Sequence, residues 1–440
     1  MRILIPAYSL VAQVVGEQKR IDGQPYRLIK YVVQCPVEDG VLLYNTLTCS
    51  LVHLSPEEAA HITDQKELIK QWFLVPNQHN DQRLCMQIRK VASLIQPKTN
   101  AITGYTILTT TGCNARCFYC YEKGTKPVTM TSDMATKVSR FIMSHRGSEK
   151  VILNWFGGEP LVNVKVIDQI CSELNQNNVP FKSKMTSNGY LFDVDTIQRA
   201  KSQWNLQQVQ ITLDGTEQTY NQVKHYIYNG INAFERVLHN IELLTASSIR
   251  VVIRLNVDKH NIQEMSQLIS LLHQRFGVNN YLSVYSHELF GKRDPKERAE
   301  LYDLRMEIEQ QIEDCGYRYK HKLQKNIKLN CCMADNDRNV MISPSGFLGK
   351  CEHLVDREFF GHIDNDERDE QILRKYKLYY DDIKECDICP LYPQCYRLKM
   401  CPSEGACTPE VRKERLRHIE NAMKDEYQTH LNKQPHETQI

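Results

Sequence analysis

No stretch of these 440 residues approaches the roughly 18 consecutive apolar residues that a membrane span requires. Excess charge is missing as well: 55 Lys and Arg against 53 Asp and Glu leave a formal net charge of +2. The balance therefore gives no sign of nucleic acid or of an anionic membrane surface as a partner. There is no internal repeat and no low-complexity tract, which sets aside solenoids and disordered scaffolds. The start, MRILIPAYSLVAQVVGEQKR, sets Arg2 before an apolar stretch as a secretion signal would. Tyr8, Ser9 and Gln13 interrupt that stretch and no small-residue cleavage site follows, so a strand is expected there. What remains is an ordinary globular composition, 41% hydrophobic and 25% charged, in a chain long enough for two or three domains.

Cysteine is the residue present in quantity. Of sixteen, nine fall between Cys315 and Cys407 and three more are Cys113, Cys117 and Cys120. A disulfide framework implies a small, loop-rich secreted scaffold. Clusters separated by long cysteine-poor segments point instead to metal sites in a reducing cytoplasm. Cys35, Cys49, Cys85 and Cys171 stand apart and are expected to be small core residues.

Three regions and a tail follow from the patterning. In residues 1–100, YRLIKYVVQ and GVLLYNTLTCSLVHL read as two strands joined by a turn at Pro36–Gly40. SPEEAAHI then opens a helix, with Ser55 as N-cap, Pro56 at the first helical position and Glu58 closing a capping box. Residues 101–314 alternate short apolar runs (YTILTTT, VILNWF, FKSKMTS, VQITLD, VVIRLNV, YLSVYS) with amphipathic segments such as NAFERVLHNIELL. Six such units imply a parallel sheet, either curved as a partial (β/α)6 barrel or open and doubly wound. Reactive residues then belong where strands end and loops begin. Residues 315–410 are rich in Cys, Pro and Asp with little periodicity, so metal is expected to organise them. Residues 411–440 form a tail dominated by one charged helix with a frayed end.

TTTGCNARCFYCYEKG follows the first of the six strands directly and holds Cys113, Cys117 and Cys120 with no fourth Cys or His nearby. Structural zinc normally takes four ligands, whereas an iron–sulfur cube on three thiolates keeps one iron open. A three-Cys zinc site with a distant fourth ligand is the plainer alternative. The spacing Cys-x3-Cys-x2-Cys after a first strand, with Tyr119 before the last cysteine, resembles the radical S-adenosylmethionine (SAM) superfamily. The resemblance implies a [4Fe–4S] cluster whose open iron takes the methionine amino and carboxylate groups of SAM. It also implies that reductive cleavage of SAM yields a 5′-deoxyadenosyl radical.

Further motifs stand where that resemblance requires them. Gly157, Gly158 and Glu159 in WFGGEP follow the second strand, where the family holds the SAM amino group; alone, the motif could be a turn. Ser187 and Asn188 after the third strand offer partners for a ribose, and Asp214 follows the fourth or shapes a turn there. Arg254 and Asn256 share a face of the fifth strand, and Arg254 is a candidate for the SAM carboxylate, with a surface ion pair as the alternative.

Downstream, Cys332, Gly346, Cys351, Cys386, Cys389, Cys395, Cys401 and Cys407 resemble the SPASM extension of radical SAM enzymes, which binds two auxiliary [4Fe–4S] clusters. The resemblance assigns Cys332, Cys351 and Cys401 to the first; Cys331 adjoins Cys332 and either could ligate, with the Cys-x-Ala pattern at Cys332–Ala334 favouring Cys332, and Cys331 or Cys315 is a possible fourth ligand. Cys386, Cys389, Cys395 and Cys407 fall to the second. Five residues separate Cys395 from Cys401 where the family usually has three. Zinc ribbons are the alternative for these cysteines. Glu352 and His353 directly follow Cys351; in related sulfatase-maturing enzymes an acidic residue there acts as a base, and a solvated loop carboxylate is the alternative.

The fold class expected is thus α/β. It combines a partial (β/α)6 barrel, a small N-terminal α+β winged-helix-like domain and an irregular Cys-rich iron–sulfur domain. The activity expected is that of a cytoplasmic peptide maturase that installs a thioether or carbon–carbon cross-link in a ribosomally made precursor. Three [4Fe–4S] clusters and SAM would be its cofactors. The precursor's leader would bind by adding a strand to the N-terminal sheet, and a flavodoxin or ferredoxin would supply electrons. Two other readings remain: a sulfatase maturase forming formylglycine, and a zinc-stabilised peptide-binding protein without chemistry.

Overall fold

The structure, a computed structural model, describes residues 1–7, 9–95, 101–124, 126–289, 295–317, 322–327, 332–353, 358–375, 386, 389–395, 407 and 409–433. Cys331 and Cys401 lie outside the described residues. Within these bounds the chain is mixed α/β: an N-terminal antiparallel sheet followed by a central, mainly parallel one.

The N-terminal strands are β1 (Arg2–Ile5), β2 (Tyr26–Leu28), β3 (Val32–Val37), β4 (Gly40–Asn45), β5 (Ser50–Leu54) and β6 (Leu74–Pro76). Four form a sheet in the order β1-β5-β4-β3, and β2 pairs with β6 apart from it. Each run expected as one strand is therefore two. Asn45 breaks the second run: its side-chain oxygen accepts from the backbone N–H groups of Leu47 (3.0 Å) and Thr48 (3.2 Å), a side-chain-built turn. The opening segment also differs from expectation. Only Arg2–Ile5 is a strand, and Ser9–Val15 is a helix whose Val11 and Val15, one turn apart, pack into the cluster that holds Leu84 and Ile88. The capping box forms as read, with Ser55 and Glu58 exchanging bonds, but its helix spans only Pro56–Ala60.

The central sheet is built from β7 (Gly104–Thr110), β8 (Val151–Gly157), β9 (Phe181–Ser187), β10 (Leu206–Leu213), β11 (Arg250–Val257) and β12 (Leu282–Glu288). Each is parallel to the next in sequence order. Single winding results, not the order reversal of a doubly wound sheet. Helices including Ser132–His145, Val164–Gln176 and Ala233–Ala246 cover one face and bury Leu153, Trp155, Ile211 and Ile253 in the main core. The opposite face carries Thr106, Asn154, Lys184, Gln208 and Gln210, which line a cavity. In a closed (β/α)8 barrel these positions are filled by branched apolar side chains. Here they are polar, and space remains for a ligand.

The Cys-rich region is less irregular than its composition suggests. Strands β13 (Asn339–Ile342), β14 (Phe347–Gly349) and β15 (Gly361–His362) extend the central sheet beyond β7. Asn339 pairs with Gly104 and Ile342 with Ile107, in parallel. Strands this short carry almost no period-2 signal, and long-range pairing alone creates them. No helix among the described residues is long and apolar enough to cross a membrane.

The tail helix, Pro409–Lys433, is not a free appendage. Ala422, Met423 and Tyr427 join Val33, Cys35, Leu42 and Leu51 in one apolar cluster on a face of the N-terminal sheet. Tyr427 also stacks on His53, with ring centroids 4.9 Å apart. Met423 is fully buried. Met423→Ala should therefore cost on the order of 2–5 kcal/mol, as deletion of a buried Met side chain usually does, measured as a lowered urea midpoint with unchanged slope. An unshifted midpoint would mean that this helix does not hold the N-terminal sheet.

Candidate active site

The cysteine loop begins where β7 ends, and two glycines fix how closely it lies against β8. Gly157 has φ +124°, and a Cβ on it would stand 2.1 Å from the Thr110 carbonyl oxygen. A Cβ on Gly158 would stand 2.4 Å from that of Gly112. No other residue fits such an approach. The gain is two backbone bonds, Gly158 N–H to Thr110 C=O and Glu159 N–H to Gly112 C=O, each 3.0 Å. The glycines thus bring the cysteine loop itself into contact, a role the sequence reading had given to a ligand alone.

Beyond this junction lies a cavity of about 590 Å³, within the usual range of small-molecule sites. Cys113, Cys117 and Cys120 line one end, all half-buried. They are close enough to interact: burial first, then the Glu159 carboxyl and the thiols of Cys117 and Cys120, push Cys113 up to about 12. As thiolates they would need a cationic metal group beside them. Among the described residues no three His, Cys, Asp or Glu side chains converge as the ligands of one ion would. Three soft sulfur donors at one end of a polar cavity with room beyond them fit an iron–sulfur group with an open position.

The expected cofactor-binding residues divide into two groups. Tyr119, Gly157, Gly158, Ser187, Asn188, Arg254 and Asn256 all line the cavity. Glu159 and Asp214 do not: each is almost completely buried behind its wall. The Glu159 carboxylate accepts from Leu161 N–H (3.1 Å), Ser187 O–H (2.9 Å) and Asn188 N–H (2.8 Å), which ties the end of β8 to the end of β9. Burial outweighs these donors and lifts its pKa to about 7. Asn188 in turn donates to the Asn114 side chain at 2.7 Å, inside the cysteine loop.

Asp214 accepts from Tyr119 O–H (2.7 Å) and Asn256 Nδ2 (3.0 Å), and pairs with Lys224 at 2.9 Å. Lys224, absent from the sequence reading, is the central cation of the site. It lies at the end of the helix Glu217–Lys224, is 2% exposed, and donates to Thr212 and to the Tyr119 hydroxyl. Burial opposes its charge, but Asp214 above all holds the ammonium well above the ordinary lysine range, with Tyr119 and Cys117 adding to the effect. No motif marks Lys224 in sequence, because only tertiary contacts with Tyr119, Thr212 and Asp214 bring it into the site. Arg254 faces the cavity as expected, with Nη2 3.0 Å from His287 Nδ1. Glu122 was also missed. It lines the cavity at 7% exposure, and burial lifts its carboxyl to about 8.

Glu352 and His353 line the same cavity beside the cysteine loop, where the His353 ring lies 4.9 Å from that of Tyr121, next to Cys120. Cys351 is half-buried just before them, and Cys332 precedes β13. Cys389, Cys395 and Cys407 form a separate group: burial first, then the charges of Cys395 and Cys407, raise Cys389. That segment rests on the N-terminal sheet, where Gln394 donates to Tyr44 O–H and to the Thr46 carbonyl, both at 2.8 Å.

Residues 107–272 match the family described as the Radical SAM superfamily. The chain carries a radical SAM domain. Members of that superfamily are enzymes, and the central parallel sheet is typical of their fold. Among curated relatives, the AdoMet-dependent heme synthase of Methanosarcina barkeri is 26% identical over 37% of this chain and 44% of its own length. The chain thus spans under half of that relative. The GTP 3′,8-cyclase of Clostridium perfringens is 27% identical over 55% of this chain and 77% of its own. Two solved structures share the fold. The sulfatase maturase anSMEcpe with bound AdoMet superposes with TM-score 0.57 at 14% identity, over 75% of this chain and 96% of that one. SuiB of Streptococcus suis, bound to its precursor peptide SuiA, gives 0.52 at 12%, over 84% and 94%.

The junction of the radical SAM domain supplies a test. Glu159→Gln turns one acceptor oxygen into an NH2 group that must face a donor in either flip state. The apo protein should lose about 1–3 kcal/mol, the usual cost of a buried group left unsatisfied, read as a lower melting temperature. An unchanged apo melting temperature would mean that Glu159 acts on a ligand alone.

Proposed function

We propose that the chain is a radical SAM peptide maturase that installs a thioether or carbon–carbon cross-link in a ribosomally made precursor. The observation that carries this reading is the shared cavity, lined by Cys113, Cys117 and Cys120 and, beside them, by Glu352 and His353, which directly follow Cys351. When bound there, a [4Fe–4S] cluster and SAM supply a 5′-deoxyadenosyl radical able to take a hydrogen atom from a substrate. Cys113, Cys117 and Cys120 would hold the cluster. The Gly157–Gly158 backbone would receive the SAM ammonium, with Glu159 holding that backbone in position. Arg254 offers a cation for its carboxylate, while Ser187 and Asn188 border the space for its ribose.

The remaining length of cavity, along Asn154, Lys184 and Gln208, is polar and suits a peptide segment. Cys332 and Cys351, with Cys401, would hold a first auxiliary cluster; Cys386, Cys389, Cys395 and Cys407 would hold a second. In the N-terminal sheet β3 is an edge strand, a surface on which a leader can add a strand. The solved neighbour SuiB is bound to a precursor peptide, which supports a peptide as substrate. A one-electron donor of the flavodoxin or ferredoxin kind and a reducing cytoplasm complete the reading. Formation of formylglycine in a sulfatase is the second reading, favoured by Glu352 at the cavity wall, where a base would be needed.

Single substitutions separate the clusters. Cys117→Ala should abolish 5′-deoxyadenosine formation. Cys395→Ala, if circular dichroism shows it folded, should lose iron and finished product while keeping SAM cleavage. A folded Cys395 variant with full iron and full product would sink the auxiliary-cluster assignment, and 5′-deoxyadenosine from the Cys117 variant would sink the SAM site.

A further inference from the structure

The cysteine loop has two sides. Cys117, Tyr119 and Cys120 line the cavity, whereas Phe118, between them, is 57% exposed. A second loop lies alongside, joined by backbone bonds from Arg116 N–H to Lys224 C=O (2.8 Å) and from Ile227 N–H to Asn114 C=O (3.0 Å). It exposes Ile227 (53%), Tyr228 (40%) and Ile231 (51%). Four large apolar side chains on two adjoining loops exceed what scattered surface hydrophobics account for.

On the cysteine-loop side the exposed charges have one sign, and the nearest exposed acids, Glu217 and Glu235, sit at the far end of the second loop, where Asn232 donates to Glu217 at 2.7 Å. Arg116, Lys123 and Lys126 are exposed, and the sole acid in residues 111–130, Glu122, is buried. The second loop, HYIYNGIN, has no acid at all. An apolar centre with cations along its cysteine-loop side selects an acidic protein and steers its approach from that side.

We infer that this face is the docking site of an acidic one-electron carrier, of the reduced-flavodoxin class. The inference rests on the cluster reading proposed above. A carrier seated on Phe118 stands directly outside the cysteines and leaves the cavity, on the other side of the loop, free for substrate. The step is a single electron transfer: the carrier's reduced flavin is oxidised by one electron and the cluster is reduced by one, with no bond made or broken. A precursor peptide fits this face less well, because the polar cavity lies behind it.

The test uses the full-length chain with reconstituted clusters and follows bleaching of their visible absorbance in a stopped-flow instrument. Two reductants are compared, a photoreduced acidic flavodoxin and dithionite. The double variants Ile227→Asp/Ile231→Asp and Lys123→Glu/Lys126→Glu should each slow reduction by flavodoxin about tenfold or more, the effect of losing about 1.4 kcal/mol of association. Both should keep the wild-type rate with dithionite. Raising salt should slow flavodoxin with the wild type and have less effect on the Lys variant. Wild-type flavodoxin rates in both variants would overturn the inference, as would equal losses with both reductants. A variant that turns a dimer into a monomer without touching the flavodoxin rate would reassign the face to self-association and overturn it too. If the wild-type chain holds no cluster that dithionite can bleach, the cluster reading itself fails, a result distinct from all of these.

Discussion

The site depends on one close approach, the backbone of Thr110–Gly112 laid against Gly157–Gly158. Two 3.0 Å bonds close it, and either glycine Cβ would collide with a carbonyl. Because this contact involves backbone on both sides, the start of the cysteine loop has little freedom. It also turns Glu159 inward, where the carboxylate gathers Ser187 and Asn188. Burying that group is costly, as its pKa of about 7 records. Three donors offset the cost, and the result is a rigid seam across the ends of β7, β8 and β9.

A second buried network fixes the other half of the rim. Lys224 and Asp214 form an ion pair with both side chains nearly inaccessible, at 3% and 2%. Buried pairs seldom add stability over apolar packing, but breaking one leaves a stranded charge. Such a pair is best explained by what it holds. Here it holds the Tyr119 hydroxyl, which Asn256 also reaches at 3.1 Å, and so ties β10 and β11 to the middle of the cysteine loop. The Glu159 seam and the Lys224 network thus grip the same loop from opposite sides.

Much of this was legible in the sequence, and what was not has a physical reason. All six parallel strands stand where short apolar runs alternate with amphipathic helices. The three cysteines, the two glycines and the Ser187–Asn188 pair all reach one cavity, because strand-end motifs on parallel strands must converge on one edge. Lys224 escaped notice because it reaches the site by tertiary return, without a motif of its own. Glu159 and Asp214 were assigned to the right edge, but sequence cannot tell a side chain that faces a ligand from one that holds its neighbours. The helix Ser9–Val15 was missed because five apolar residues in seven hide its period, which packing against Leu84 and Ile88 decides. The strands β13–β15 are too short for any pattern to outweigh chance.

Those three short strands change how the cysteine regions relate. Strand β13 pairs in parallel with β7, the strand that leads into the first cysteine loop. Cys332 lies just before β13, and Cys351 lies just after its antiparallel partner β14. Two cysteine groups far apart in sequence are therefore coupled by a hydrogen-bonded ladder, not by a tether. Closing so long a connection carries an entropy cost that four paired residues hardly offset. Apolar contacts such as Leu108 on Met341 help, and metal binding to the flanking cysteines would contribute further, since ligation and folding are one equilibrium in such regions. The edge of the sheet is then where folding of the C-terminal third and the geometry of the cavity meet. A ladder that fails to form would move Glu352 and His353 away from the cysteine loop even with every strand of the barrel intact.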